Sequence, residues 1–173
     1  MMNGRYAVIP VMRTDEGYTI SDMTLEYIWE KIVEEKKDTT VFYNGAIANI
    51  GEFVAFMRRE DVYPIVVYDV DDKMFTGIAW INNLNEGTAQ AHFCTFNNGE
   101  PILMGHEVLN YWEQFPKDLL GVVVGIIPNT NEKAIRFAKQ IGFTVIGEIP
   151  NYCNTVYLDS RTPGVVMYKE LGG

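Results

Sequence analysis

Along this chain apolar residues recur at two different periods, and the alternation between them sets out the elements. In "DMTLEYIWEKIVEEKK", Leu25, Ile28, Trp29, Ile32 and Val33 fall at helical spacing with the charges on the opposite face. Asp22 or Thr24 is placed to cap this helix, and Lys36 and Lys37 suit its C-terminal end. "NIGEFVAFMRRE" predicts a second helix: Asn49 and Glu52 make a capping-box-like pair, and Ile50, Phe53, Val54 and Met57 form its buried stripe. The period then shortens. "YPIVVYDV", "KMFTGIAWINNL" and "TAQAHFCTF" read as strands joined by short links at "DD" (71–72) and "NNLNEG", which implies an antiparallel meander.

The second half alternates helix and strand. In "ILMGHEVLNYWEQF", Met104, Val108, Tyr111, Trp112 and Phe115 share one stripe, and Pro101 suits the first turn. "LLGVVVGIIP" is apolar on both faces, as a central buried strand would be. "PNTNEKAIRFAKQIGF" then predicts a helix with Asn129 and Glu132 at capping-box spacing, Ala134, Ile135, Ala138 and Ile141 inward, and Gly142 ending it. "TVIGEI" and "GVVMYKEL" are the last strands, and residues 150–163 between them read as a long loop. The predicted order is two helices, three antiparallel strands, a helix, a buried strand, a helix and two strands, with no repeat or linker dividing the 173 residues.

Composition narrows the function classes. A net charge of −9 argues against a nucleic-acid or anionic-membrane surface, which needs clustered Lys and Arg. No apolar run approaches the ~18 residues of a membrane span, and the N-terminal stretch lacks the apolar core of a signal peptide. Cys94 and Cys153 form neither a disulfide framework nor a metal-ligand spacing, so no metal is expected and a reducing, cytoplasmic setting is.

The element order, and above all "VGIIPNTNEKAIRFAKQIGFTVIGEIP", resembles the GNAT superfamily of acetyl-CoA-dependent N-acyltransferases. The matching features are the buried strand Val122 to Ile127, Asn131, Ala134 three residues on, and the helix ending Gly142–Phe143. "RFAKQIGF" looks closest to the ribosomal-protein N-terminal acetyltransferases. The resemblance implies one α+β domain over 1–173, with a mixed, mostly antiparallel central sheet flanked by helices. A splay is expected between the fourth and fifth strands, the one ending near Phe96 and the one around Val122 to Ile127. It also implies an N-acetyltransferase whose acyl donor, acetyl-CoA, lies in that gap like an added strand, held chiefly by main-chain groups. Phe96, Asn97, Asn98 and Gly99 would then line the pyrophosphate loop, with Asn131, Lys133 and Arg136 contributing from the last helix. The implied partner is a small-molecule or peptide amine, with a homodimer as the assembly.

The chain departs from the family at two places. Where members carry Gln/Arg-x-x-Gly-x-Gly/Ala, this loop reads "NNGEPILMG", with a proline that removes one N–H and Glu100 directing a negative charge at the phosphates. From Met74 to Phe115 there is no Lys or Arg. The tyrosine that many members use as general acid is replaced by Ala138, leaving Tyr152 and Tyr157 as candidate acids by proximity. His92 is the candidate base because its side chain titrates nearest neutrality, although a single histidine among Ala91, Phe93 and Cys94 also reads as strand packing. Cys94 shares its face and raises a Cys–His pair. His106, near the start of the coenzyme-side helix, ranks below His92, and capping accounts for Glu52. "DTTVFYNGAIA", with Phe42, Tyr43 and Asn44, would frame the acceptor. Two other readings stay open: a GNAT-fold binding or structural protein without activity, and an unrelated α+β domain. Side chains of Trp80, Phe96 or Met104 plugging the gap would favour the inactive form.

Overall fold

In the computed structural model, which describes residues 4–172, the chain opens with strand β1 (Tyr6–Pro10) and a small hairpin, β2 (Arg13–Thr14) and β3 (Gly17–Tyr18). None of these was expected. β1 pairs antiparallel with β4 (Val62–Asp69), from Tyr6↔Asp69 to Pro10↔Ile65. Its partner is distant in sequence, so no local turn signal marks these residues as strand.

Helix α1 (Asp22–Glu34) is capped by Ser21, whose hydroxyl accepts the Thr24 N–H. Neither expected cap, Asp22 or Thr24, serves: both lie inside the first turn, Asp22 as the first helical residue, ion-paired with Arg58 at 2.6 Å. After the short α2 (Asp38–Val41), helix α3 (Ile50–Met57) is capped by Asn49, which accepts the Glu52 N–H. The Glu52 carboxylate in turn accepts the Ala48 N–H, so capping does account for it. Phe53 and Met57 are buried, but Ile50, placed on the stripe by periodicity, is exposed.

The meander forms as expected from β4, β5 (Met74–Asn85) and β6 (Thr88–Thr95). β5 continues through "NNLN", and the turn shrinks to Glu86–Gly87, both at positive φ. Helix α4 (Pro101–Trp112) has proline in its first turn, and β7 (Val122–Pro128) leads to α5 (Glu132–Gln140). The cap of α5 is Asn131, accepting the Ala134 N–H at 3.2 Å, and not Asn129. Gly142, at φ 96°, lets Phe143 N–H return to the Ala138 carbonyl.

The last strands are longer than periodicity indicates: β8 (Thr144–Thr155) and β9 (Ser160–Glu170) form one hairpin across residues 150–163, which had read as loop. Pro150 and Asn151 (φ 54°) lie where the register shifts between Ile149 and Cys153, so these breakers sit in a bulge and the ladder resumes at Cys153↔Thr162.

The main sheet runs β1-β4-β5-β6-β7-β9-β8. Leu25, Ile28, Ile32, Phe53, Trp80 and Phe96 bury one face beneath α1–α3. Met104, Val108, Trp112, Ala138 and Ile141 bury the other beneath α4 and α5. Each large aliphatic or phenylalanine side chain among them contributes about 1.5–3 kcal/mol on burial. A Cβ on Gly105 would meet Ile141 Cγ2 at 2.7 Å, so this glycine sets the close approach of α4 and α5. Among the described residues, no helix is long and apolar enough to cross a membrane.

Candidate functional site

β6 and β7 are the one parallel pair in the main sheet, and they pair at only three positions, Thr88↔Val122 to Gln90↔Val124. Beyond these the strands diverge. β6 continues to Thr95 and β7 to Pro128 with no pairing across the gap, where the Thr95 carbonyl accepts from Lys37 Nζ instead. This is the expected splay, between the fourth and fifth strands of the main sheet.

A cleft of about 600 Å³ fills the gap, and residues from both sheet faces line it. Alternation along β6 puts Ala91 and Phe93 on the α4–α5 face, and His92 and Cys94 on the α1–α3 face. The cleft therefore passes through the sheet. Pro101, Lys133 and Phe137 line its α4–α5 side, and Glu35, Lys36, Lys37, Thr40 and Tyr43 its other side. Trp80, Phe96 and Met104 are packed into the two cores and do not line it. The gap is open.

His92 lies in the cleft wall, but its ring stacks on Trp80 at 4.9 Å and 8°, and Trp80 stacks on Phe42 at 5.7 Å and 15°. Its Nε2 is 3.1 Å from Asn82 Oδ1. Burial pulls its pKa down to about 4, so at neutral pH the imidazole is neutral and weakly basic. Cys94 shares that face, as alternation implies, but burial pushes its thiol up to about 12. That excludes a thiolate–imidazole pair at neutral pH.

The loop after β6 differs from the expected cradle. Phe96 is buried and its N–H donates to the Thr76 carbonyl at 2.7 Å. Asn97 lines the cleft, but its N–H donates to both Glu35 carboxylate oxygens at 3.0 Å. Asn98 Nδ2 turns to the Phe75 carbonyl. Gly99 is required by packing, since a Cβ there would meet Met104 Sδ at 2.5 Å and Thr76 Cβ at 3.1 Å. Its N–H donates to the Phe96 carbonyl, and the Glu100 N–H to the Tyr6 hydroxyl. Glu100 does not direct charge at the cleft: its carboxylate pairs with Arg5.

Lys37 meets this loop from the end of α1, donating to Glu35 at 2.5 Å, the Thr95 carbonyl at 2.6 Å and Asn97 Oδ1 at 3.0 Å. Local pattern had assigned it only to the helix dipole. Thr95 and Asn97 are remote from it in sequence, and no spacing rule could have found them.

The α5 cap Asn131 and Lys133 of α5 line the cleft, whereas Arg136 is exposed and outside it. Neither candidate acid lines it. Tyr152 packs across the terminal hairpin against Gly164, and Tyr157, in the turn Val156–Leu158, borders a smaller adjoining hollow. That hollow, about 270 Å³, is lined by Thr39, Thr40, Tyr43, Thr130, Thr155 and Tyr157 with Pro128, Asn131 and Leu158. Tyr43 borders both spaces, and burial, then its hydrogen bond with Cys153, holds its phenol well above the ordinary range.

The same architecture occurs in solved N-acetyltransferases. Spermidine N-acetyltransferase from Vibrio cholerae, in complex with CoA and spermine, superposes with a TM-score of 0.72 at 14% identity, covering 97% of this chain and 96% of that one. Ribosomal-protein-S5-alanine acetyltransferase from Vibrio fischeri gives 0.71 at 12% identity, covering 99% and 96%. No protein-family model and no curated protein matches the sequence. The α+β fold, with its splayed mixed sheet, is thus the GNAT fold inferred from "NEKAIRFAKQIGF" and the element order.

Proposed function

We propose that this chain is an acetyl-CoA-dependent N-acetyltransferase acting on a primary amine. The observation that carries the reading is the open, through-sheet cleft between β6 and β7, with unpaired strand edges on both sides and no core side chain plugging it. The coenzyme supplies the acyl group as a thioester. The residues fit it in kind: free main-chain groups of β6 and β7 suit an extended amide-bearing arm. Lys133 offers a cation at the α4–α5 side of the cleft. Pro101 of α4 borders the cleft, and the first α4 N–H to bond back along the helix is that of Met104, which leaves N–H groups free in the helix's opening turn. Asn131, fixed as the α5 cap, presents its remaining polar atoms to the same cleft.

A second reading, a GNAT-fold binding protein without acyltransfer, is favoured by one feature. The N–H groups of Phe96, Asn97, Gly99 and Glu100 already have acceptors, and Pro101 has none to give. Isothermal titration with acetyl-CoA and with free CoA separates the two. Micromolar binding, about −8 kcal/mol, is expected for the enzyme. No heat at millimolar coenzyme would remove the enzyme reading and favour the binding module.

A further inference from the structure

We propose that the acceptor is an α-amine, the amino group beside the carbonyl of a peptide N-terminus or a free amino acid, and not a polyamine. The inference rests on the acetyltransferase reading and concerns the α1–α3 side of the same cleft. The charged groups lining that side are Glu35, Lys36 and Lys37. Glu35 is already committed, its carboxylate shared between Lys37 Nζ at 2.5 Å and the Asn97 N–H at 3.0 Å. With Lys36 exposed beside them, this side presents net positive charge although the chain as a whole carries −9.

The adjoining hollow is lined by no charged residue. Six of its nine lining residues bear hydroxyls and one is the amide Asn131. A polyamine places a second and third ammonium away from the reacting nitrogen, and these would find lysines and hydroxyls where carboxylates are needed. A peptide or amino acid offers amide or carboxylate oxygens, which hydroxyls and lysines hydrogen-bond well.

The reaction makes a separate demand. Transfer forms one C–N bond and breaks the thioester C–S bond, with one proton leaving the amine and CoA departing as the thiol. The amine must therefore be neutral when it attacks. The groups facing it are His92 and Cys94 from β6, Glu35, Lys36 and Lys37 from the end of α1, Tyr43 after α2, and Lys133 from α5. None is an effective base at neutral pH: His92 is held near 4, Cys94 stays protonated, and Glu35 is paired. An amine that arrives deprotonated is thus favoured. At pH 7.4 a peptide α-amine of pKa about 7.8 is roughly 30% neutral and an alkyl ammonium of pKa about 10.4 roughly 0.1%, with a free amino acid, whose carboxylate stabilises its ammonium, between the two.

The test follows CoA thiol release with a short peptide bearing a free N-terminus, the matching free amino acid and spermidine, at equal concentration and pH 7.4. Both α-amines should exceed spermidine in kcat/KM, the peptide at least tenfold, and the ratio between the two identifies the source. With the peptide, the rate should rise with pH up to the amine's own pKa, near 8. Lys36→Glu, which adds a carboxylate, should raise spermidine turnover severalfold. Spermidine turned over as well as the α-amines, or a rate plateau well below the amine's pKa, would overturn the proposal. So would coenzyme binding with no α-amine turnover. Absence of coenzyme binding would instead remove the acetyltransferase reading itself.

Discussion

At the scale of single residues, His92 shows how one position is recast by its surroundings. Its stack on Trp80 and its burial fit a packed wall residue, and the low pKa turns that packing into a pH dependence. Between the ordinary value of 6.5 and about 4, the unfolded chain takes up a proton that the folded chain refuses. Stability therefore falls as pH drops through that window, by about 2 kcal/mol at pH 5, and is regained as pH rises. In His92→Phe, which retains a ring against Trp80, this loss should vanish. Urea midpoints of both proteins at pH 7.5 and pH 5 decide the matter, and an identical pH dependence would mean that His92 is not the group responsible. Glu35 carries a second residue-scale expectation. Its side chain is 7% exposed, and it anchors both Lys37 and the Asn97 N–H. Glu35→Ala strands both and should cost about 2–4 kcal/mol in urea denaturation, whereas Glu35→Gln retains an acceptor and should cost less.

At the scale of elements, legibility followed whether the deciding contact was local. Asn49, Pro101 and Gly142 mark helix ends through neighbours a few residues away, and these marks were readable. β1 depends on pairing with β4, and the outer half of the terminal hairpin depends on a bulge that absorbs Pro150 and Asn151. Breaker residues inside a strand pattern look like loop until the opposing strand is known. Helix α5 was readable as an element but not face by face. Lys133 and Arg136 are equivalent in the amphipathic pattern, yet Lys133 lines the cleft and Arg136 lies outside it. Lys133→Glu should weaken acetyl-CoA binding about tenfold or more, and Arg136→Glu should leave it nearly unchanged. Calorimetric titration of the two variants checks this, and equal effects would dissolve the distinction.

At the scale of the whole molecule, the fold was readable because it is a pattern of periods, whereas the site is a set of coincidences between distant segments. The splay is inferred from the resemblance, but the closing of the loop by Glu35, Lys37 and Arg5 needs three-dimensional placement. What the sheet provides is a passage, and its use can be tested by blocking it without disturbing either core. Gly125, in β7, is suited to this. A Cβ built there meets nothing within 4 Å, its φ needs no glycine, and it lines the cleft. The Cβ of Gly125→Leu therefore meets no neighbour, its side chain extends from the cleft wall, and loss of the flexible glycine in a strand favours folding. The variant should unfold at or above the wild-type urea midpoint while losing acetyl-CoA binding by at least tenfold. Those two results together would place the coenzyme between β6 and β7, because a general structural defect would lower both. Undiminished binding in a stable Gly125→Leu protein would show that the coenzyme arm does not pass through the sheet at this point.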